Sequence, residues 1–319
     1  MYHNNKGAAV VTKEALIAIV GPTAVGKTDL SIKLAQQLNG EIISGDSMQV
    51  YKTMDIGTAK ATEEEQAAIP HHLIDILDPE EPWTVAAFQE RALAAIQDIR
   101  ARGKLPIVVG GTGLYIQSIT HELSFADAKS DPAYREQLEA FLEAHGIRAL
   151  HQQLEEQDPK AAETIHPNNS RRVIRALEVI HTTGVRFSEQ ENQLGAARFN
   201  TALIGLTMDR QKLYERINVR VDLMMKQGLL EEVKRLYDAG VHSQAIQAIG
   251  YKELYAYFNG DVALAEAVDL LKKNSRHYAK RQLTWFRNRS AAEWFNVGAE
   301  TPSEIFTKIV DYSCRKIEK

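Results

Sequence analysis

The sequence predicts an α/β fold in which a parallel sheet is flanked by helices, together with a mainly helical insertion domain. Short apolar runs of strand length alternate with segments of helical periodicity at both ends of the chain, which is typical of βαβ units. The stretch between them, residues 122–200, contains helical patterns but no clear buried strand. We therefore expect a core domain made of residues 1–121 and 201–319, and an insertion domain of residues 122–200.

The elements of the core follow one another in a regular order. Predicted strands cover residues 15–20, 41–44, 105–113 (running into a glycine loop), 201–206 and, near the end of the chain, 294–297. Predicted helices cover residues 29–38, ended by Gly40, and 85–102, ended by Gly103, and a further long helix begins at about Arg210. The strands are short apolar runs, which favours a parallel sheet covered on both faces.

The insertion is rich in Ala, Leu, Glu and Gln, and three proline-containing pairs interrupt its helical pattern. These pairs are Asp131-Pro132, Asp158-Pro159 and His166-Pro167. The residue before a proline is disfavoured in a helix, so each pair marks a helix boundary. Asn169 or Ser170 fits the cap of the helix that follows.

Composition excludes some classes of protein. The single cysteine, Cys314, excludes an internal disulfide and a thiolate metal cluster, which suits a reducing cytoplasm. No apolar stretch approaches the roughly 20 residues needed to span a bilayer. The first fourteen residues lack the apolar core of a signal peptide, so we expect a loose tail there and a cytoplasmic protein without a membrane segment. The net charge of −4 argues against nonspecific coating of nucleic acid, although local basic patches matter more than the total.

The strongest motif is GPTAVGKT, which fits the phosphate-binding loop (P-loop) pattern G-x-x-x-x-G-K-[ST] without a mismatch. Strand, loop and helix arrive in the required order, which disfavours the alternative of an ordinary glycine turn. The predicted phosphate-binding residues are Gly21, Pro22, Thr23, Ala24, Val25, Gly26, Lys27 and Thr28. In this loop the backbone N–H groups and the helix N-terminus face the phosphates, Lys27 reaches the terminal ones, and Thr28 is the predicted Mg²⁺ ligand.

The acid that P-loop NTPases carry after a second strand is missing from its obvious position. The strand LPIVV is followed by Gly110, Gly111 and Thr112. The nearest comparable acid is Asp46, which follows the strand at residues 41–44 and should face the phosphate loop, since ligands bind at the carboxyl ends of parallel strands. Asp46 could be a Mg²⁺ ligand, a general base, or only the cap of a turn, and composition alone does not choose among these.

The motifs taken together resemble the bacterial tRNA dimethylallyltransferase family. The stretches that carry the resemblance are GPTAVGKT, GDSMQVYKTMDIGTAK, HHLIDILDP, VVGGTGLY, HPNNSRRVIRALEV and KRQLTWFR, in the order of the family. They span residues 15–290, and DSMQVYKTMDIGTAK is far more specific than the phosphate loop alone. The resemblance implies transfer of a dimethylallyl group from dimethylallyl diphosphate to the exocyclic amine of the adenine beside the anticodon of tRNA.

The resemblance also implies roles for individual residues. Asp46 is the general base, and Thr23 and Arg220 stabilise the departing diphosphate. The implied tRNA-contacting residues are Asp46, Ser47, Met48, Gln49, Thr112, Arg135, Arg171, Arg172, Val173, Ile174, Arg175, Gln247, Ala248, Ile249, Gly250, Tyr251 and Lys252. Gln247 departs from the arginine that relatives often carry there, which puts a charge contact in doubt. The zinc finger of the eukaryotic relatives is absent, consistent with the single cysteine.

Several basic and aromatic features allow more than one interpretation. Arg216 and Arg220 lie four residues apart and so share one helix face, which could be a solvated face. The arginines at 171, 172 and 175 oppose the dipole at a helix N-terminus, which favours an anion there, and we predict phosphate-backbone binding. Trp285 and its neighbour Phe286 are expected in the core, with surrounding cations free for tRNA or diphosphate. His71-His72 with Asp75 and Asp78 could suggest a metal site, and we prefer a turn before Pro79 instead.

Three functions therefore remain to be compared: tRNA prenyl transfer, a P-loop small-molecule or nucleotide kinase, and a noncatalytic RNA-binding protein. A kinase should carry an arginine-rich lid beside an acceptor site, and we identify no such segment. An RNA-binding protein would leave the complete phosphate loop and Asp46 unexplained. The expected partners are the tRNA anticodon stem-loop and dimethylallyl diphosphate, the expected cofactor is Mg²⁺, and the expected state is a monomer.

Overall fold

A six-stranded sheet forms the centre of the larger part of the chain. The computed structural model describes residues 13–123, 131–190 and 195–318, so residues 1–12 of the predicted tail lie outside it. The strands are β1 Ala15–Val20, β2 Gly40–Ser44, β3 His71–His72, β4 Leu105–Gly110, β5 Asn200–Thr207 and β6 Glu293–Asn296. Their spatial order is β3-β2-β4-β1-β5-β6, and every pair is parallel. The predicted α/β class is confirmed.

Helices cover the sheet and build the insertion. In the core they are α1 Lys27–Leu38, α2 Glu63–Ala68, α3 Val85–Ala101, α4 Gly113–Thr120, α9 Arg210–Lys226, α10 Leu229–Asp238, α11 Tyr251–Phe258, α12 Leu264–Arg289 and α13 Pro302–Ile317, with a short 3-10 helix at Gln244–Gln247. In the insertion they are α5 Pro132–Gln157, α6 Pro159–Thr164, α7 Ser170–Thr183 and α8 Phe187–Gln190. None of the helices in the described part of the chain is long and apolar enough to cross a membrane.

Burial on both faces explains the continuous apolar strands. In β1, Leu16, Ala18 and Val20 pack into one core cluster, with side chains of α3, α4, α10, α11 and α12. Ile17 and Ile19 pack into a second cluster on the opposite face, with side chains of α1 and α13. Alternate residues of a strand point to opposite faces, so both sides of this strand must be apolar.

Two predicted boundaries differ from the structure for local reasons. The first helix begins at Lys27, two residues before its predicted start, because Gly26 already has the cap conformation, with φ 102°. The same helix ends at Leu38 and is capped by Asn39, which adopts the left-handed conformation with φ 50°, and not by Gly40. Gly40 instead begins β2, where an added Cβ would lie 2.8 Å from the Leu105 carbonyl oxygen. That glycine is required by close strand packing.

The pair His71-His72 forms a short strand, β3, which the sequence did not predict. Its residues pair with Ile42 and Ile43 of β2, and His72 Nε2 lies 2.7 Å from a carboxylate oxygen of Glu41. Among the described residues, no group of three or more His, Cys, Asp or Glu side chains could hold a metal ion. A strand of two residues is too short to show a period in the sequence.

The chain divides into two compact units. The described residues of Met1–Thr120 and Ala197–Lys319 form one unit, and those of His121–Ala196 form the other. Residues 197–200 therefore belong to the core and not to the insertion: the Arg198 N–H donates to the Thr120 carbonyl at 2.9 Å, and Asn200 begins β5.

The insertion has its own apolar core, built by α5, α6 and α7. Two of the predicted helix boundaries are helix starts, where Asp131 and Asp158 accept backbone N–H groups as caps and a proline follows each. Asn169 caps α7, as the sequence predicted. Proline suits the first turn because it lacks an N–H that would have no partner there.

Candidate active site

The phosphate loop leaves β1 and enters α1 with the strained backbone that its glycines permit. Gly21 has φ 147°, and an added Cβ would lie 2.7 Å from the Leu206 carbonyl oxygen of the neighbouring strand. The Lys27 ammonium donates to the carbonyls of Gly21 at 3.0 Å and Pro22 at 2.8 Å. The lysine is thus held against the loop, at the N-terminus of a helix whose free N–H groups favour anions.

Asp46 lies at the same edge of the sheet. It follows the carboxyl end of β2, and the two strands that carry the neighbouring loops, β4 and β1, come next in the sheet order. One Asp46 carboxylate oxygen accepts the Met48 N–H at 2.8 Å. Asp46 therefore does cap the turn, as one of the three interpretations proposed. This leaves the side chain lining the cleft described below.

Two cations act on Asp46. Burial raises the pKa of its carboxyl group above the ordinary value, while the Met48 N–H, Lys27 and Arg220 act in the opposite direction. Burial also lowers the pKa of Lys27 to about 8, although Asp46 partly offsets this. The pKa of Arg220 is lowered as well, chiefly by burial of its guanidinium group. The site therefore holds two partly desolvated cations and one carboxylate with a raised pKa, a combination typical of functional sites.

Arg220 reaches this site from α9. The helix presents Arg216, Val219, Arg220 and Leu223 to the cleft, and residues three and four apart share a face. The two apolar members of this face are 66% and 50% exposed, respectively. The face therefore places exposed apolar side chains beside a cation in the same cleft.

These residues line one cleft of about 1310 Å³ in the core unit. Its polar members include Thr23, Lys27, Thr28, Asp46 and Arg220. Its larger apolar members are Ile42, Ile56, Ile74, Val109, Val219, Leu223 and Met224. The structure thus brings together the three predicted catalytic residues and most of the phosphate loop.

The loop residues that follow Asp46 are partly buried, and Gln49 forms hydrogen bonds with three other residues. The Gln49 amide oxygen accepts the Ser44 hydroxyl at 2.9 Å, and its amide nitrogen donates to the carbonyls of Thr58 and Ala59 at 3.4 and 3.2 Å. Ser47, Met48, Gln49 and Thr112 are all intermediate in exposure. Of these predicted tRNA contacts, Gln49 lines the cleft.

The predicted stretch 247–252 alternates between surface and core. Gln247 and Lys252 are exposed, whereas Ala248 and Tyr251 are buried. The Tyr251 hydroxyl donates to Glu232 at 2.7 Å. Direct contact with a large partner is therefore open to the side chains at the two ends of the stretch.

The arginines of the insertion occupy different environments. Arg135 and Arg175 donate to the buried carboxylate of Glu178 at 2.7 and 2.8 Å, and this carboxylate also accepts the Asp131 N–H at 3.0 Å. Glu178 supplies an anion for Arg175, one of the three cations that oppose the dipole of α7. Arg171 is exposed and Arg172 is intermediate in exposure.

Val173 and Ile174, also predicted to contact tRNA, have side chains in the core of the insertion, with exposures of 0% and 6%. Residues buried to this extent have little surface to offer a partner.

Comparison with known proteins identifies the family. The IPP transferase family model matches residues 49–289, and an isopentenyl transferase model matches residues 14–75. The chain belongs to the IPP transferase family. The resemblance drawn from the motifs is confirmed.

Relatives and solved structures of this family cover nearly the whole chain. A tRNA dimethylallyltransferase of Shouchella clausii is 66% identical over 302 residues, 95% of this chain and 96% of the relative. One of Bacillus cytotoxicus is 58% identical, with 96% of both chains covered. The crystal structure of a tRNA isopentenylpyrophosphate transferase from Bacillus halodurans is similar with a TM-score of 0.74, 54% identity and coverage of 96% and 97%.

A more distant solved structure has the same fold. It is a eukaryotic dimethylallyltransferase described as acting on tRNA, with a TM-score of 0.74 and 33% identity, covering 89% of this chain and 74% of its own.

The sequence pattern missed the residue that fixes the loop of this IPP transferase. Gln282 of α12 is 5% exposed; its amide oxygen accepts the Thr23 N–H at 2.9 Å and its amide nitrogen donates to the Gly111 carbonyl at 3.1 Å. A Cβ on Gly111 would lie 2.0 Å from that nitrogen. The only sequence signal was a polar residue inside the KRQLTWFR motif. Tyr278, one turn earlier, also lines the cleft, and its pKa is raised to about 12, chiefly by burial and then by Asp46.

The donor set of the cleft fits a divalent cation that is bound together with a diphosphate. Mg²⁺ is usually held by one or two protein oxygens plus phosphate oxygens and water. The Thr28 side chain, at the second residue of α1, and the Asp46 carboxylate line the same cleft. These two oxygen donors suffice for such a shared site.

Proposed function

We propose that this chain transfers a dimethylallyl group from dimethylallyl diphosphate to the exocyclic N6 amine of the adenine 3′-adjacent to the anticodon in tRNA, releasing diphosphate. The observation that carries the proposal is one cleft in which a complete phosphate loop faces a carboxylate with a raised pKa. The cleft is also lined by apolar side chains. A phosphate acceptor would not require them, whereas a five-carbon allyl group would pack against them.

The phosphate loop holds and neutralises the leaving group. Its N–H groups, Lys27 and Arg220 lie around the place where negative charge builds up as the allylic C–O bond breaks. Donors that are already fixed cost no reorganisation at that moment, which is why such groups contribute strongly to rate. The Thr23 backbone is held by Gln282, so that residue can face the departing oxygen in a fixed position.

Asp46 accepts the proton that the amine must lose. As the C–N bond forms, the N6 amine becomes positively charged, and transfer of one proton to the carboxylate restores neutrality. A general base must be ionised and close to the proton that it takes. Burial raises the pKa of Asp46, and the Met48 N–H, Lys27 and Arg220 oppose this by favouring the ionised form.

Mg²⁺ fits as the cofactor of this reaction. Thr28 would hold it together with the diphosphate oxygens. When bound, it supplies positive charge that offsets the charge of the diphosphate.

The tRNA side of the proposal concerns both units. An adenine stacked in an anticodon loop cannot reach Asp46, so it must be turned out of the stack at a cost of a few kcal/mol. Arg171 and Arg172 of the insertion, together with Gln247 and Lys252 of the core, are the sequence-predicted contacts whose side chains are open to solvent in whole or in part. We propose that the residues of each unit contact tRNA, whose anticodon stem-loop carries the acceptor adenine, and that the chain acts as a cytoplasmic monomer.

A transfer assay tests the reaction. The protein is incubated with unmodified tRNA and Mg²⁺ and with either dimethylallyl diphosphate labelled in its allyl group or ATP labelled in its γ-phosphate. We expect label in tRNA from the prenyl donor only, with adenine beside the anticodon as the modified base. Release or transfer of the γ-phosphate would support the kinase alternative, and tRNA binding without either label would support the RNA-binding one.

A further inference from the structure

Glu232 is a buried carboxylate with an unusual set of donors. It lies in the first turns of α10 and is 1% exposed. One oxygen accepts the N–H groups of Asp55 and Ile56 at 2.9 and 2.8 Å. The other accepts the Gly57 N–H at 3.0 Å and the Tyr251 hydroxyl at 2.7 Å. All four donors are uncharged, so hydrogen bonds alone must compensate the cost of burying the charge.

The four hydrogen-bond donors to Glu232 belong to two segments, which have different roles in the proposed reaction. Residues 55–60 form a wall of the cleft, through Asp55, Ile56, Thr58, Ala59 and Lys60. Tyr251 belongs to the stretch 247–252, the proposed tRNA contact in the core unit. Glu232 therefore connects a wall of the cleft to the proposed tRNA-contacting stretch.

Packing makes the connection rigid. A Cβ on Gly57 would lie 2.6 Å from the Tyr251 ring, so the wall segment rests directly on that ring. The ring itself is 0% exposed, and burial, followed by the neighbouring Glu232, raises the pKa of its hydroxyl far above the ordinary value. The phenol is thus a permanent donor to the carboxylate at working pH.

The wall is also tied to the turn that carries the base. Gln49 donates to the carbonyls of Thr58 and Ala59 and accepts the Ser44 hydroxyl. Ser44 ends β2, two residues before Asp46. A continuous set of hydrogen bonds therefore runs from Tyr251 through Glu232 and the wall to the strand end from which Asp46 projects.

We propose that Glu232 is a positioning residue that holds the stretch 247–252 in a fixed position relative to the cleft wall 55–60. Bound tRNA and bound dimethylallyl diphosphate are then held at a fixed separation. The inference rests on the proposed function. Only a carboxylate offers two acceptor oxygens to four donors; glutamine would turn an NH₂ group toward two of them. A misplacement of about 1 Å between reacting groups can cost roughly 100-fold in rate without weakening the binding of either substrate.

Tyr251→Phe tests the connection with the smallest change. It keeps the buried ring and the three backbone bonds of Glu232 but removes the donor that belongs to the tRNA stretch. Tyr255→Phe is the matched control, because the Tyr255 hydroxyl lies on the same helix, is also buried, and donates to the Val241 carbonyl at 3.0 Å, outside the cleft. Glu232→Gln is the second variant and should show the larger effect.

The measurements are the single-turnover rate of transfer at saturating substrates, the dissociation constants of tRNA and donor, and the melting temperature. We expect a rate about 10- to 100-fold lower in Tyr251→Phe with both dissociation constants within about twofold of the wild type, and an unchanged rate in Tyr255→Phe. Equal rates in the two tyrosine variants would overturn this inference but not the proposed function. A rate loss in proportion to lost thermal stability in both variants would do the same. Absence of transfer by the wild-type protein would overturn the proposed function and this inference with it.

Discussion

Replacing Asp46 by Asn separates the roles that a carboxylate can have at this position. Asparagine keeps the size of the side chain and one carbonyl oxygen, so the bond to the Met48 N–H, 2.8 Å in the structure, can still form. What the variant loses is the negative charge beside Lys27 and Arg220 and the ability to accept a proton. A turn that needs only a cap tolerates this change.

The expected loss is that of a general base. Such a group is worth roughly 10²–10⁴ in rate, or about 2.7–5.4 kcal/mol at 1.36 kcal/mol for each factor of ten. Affinity for the diphosphate should be kept or slightly increased, because Asp46 repels that anion. The assay is the single-turnover transfer of labelled allyl group to tRNA, measured over a range of Mg²⁺ concentrations. Asp238→Asn is the control, since that exposed carboxylate pairs with Lys234 on the surface.

The pH dependence adds an independent measurement. The carboxylate must be ionised to accept a proton, so the wild-type rate should fall as the pH drops through the pKa of Asp46. Because burial raises this pKa above the ordinary value of 3.8, the fall should begin at a higher pH than for an exposed aspartate. The Asp46→Asn variant should lack this limb. Normal turnover by the variant would refute the base assignment, and recovery at high Mg²⁺ would identify Asp46 as chiefly a metal ligand.

Three further variants test the remaining parts of the site. Arg220→Ala should lower the single-turnover rate by about 10²–10³ with tRNA affinity unchanged; a normal rate with weak tRNA binding would place this arginine on the RNA surface. Replacing Arg171 and Arg172 by Ala should reduce the log–log salt slope of tRNA binding by roughly 0.7–0.9 for each lost phosphate contact, and an unchanged slope would exclude the pair from the interface. Gly111→Ala should displace Gln282, which holds the loop, and so slow transfer. Gly298→Ala is the control and should not slow transfer, because its Cβ would meet only ordinary contacts at 3.7 Å or more. Equal rates in the two variants would show that Gln282 has no part in the mechanism.

The parts of the fold that could be predicted are those that a local pattern determines. Residues 15–20 were predicted as a strand with the bounds that the structure has, because a run of apolar residues ends at a glycine loop. The capping of α7 by Asn169 follows from the same kind of short-range rule. Side-chain and backbone preferences over a few residues are enough for such features.

The insertion arginines show where a local rule stops. The sequence indicated an anion near residues 171–175, because cations oppose a helix dipole there. For Arg175, the structure places the Glu178 carboxylate, three residues away, at 2.8 Å. The pattern correctly required a negative charge but did not identify its source. If Arg175 contacts a phosphate, its guanidinium group must bind that phosphate and the Glu178 carboxylate at the same time.

The contacts that set the geometry of the site lie beyond any local rule. The Thr23 N–H meets Gln282 across 259 positions of sequence, and Glu232 meets the wall segment across 175 to 177. A single glutamine or glutamate inside an amphipathic helix gives no periodic signal, since surface helices contain many. What distinguishes these two is burial together with hydrogen bonds to backbone groups or a phenol of other segments. A phosphate loop can be recognised from eight residues, but the position in which it holds its ligand depends on such isolated buried groups, and these appear only once the chain is folded.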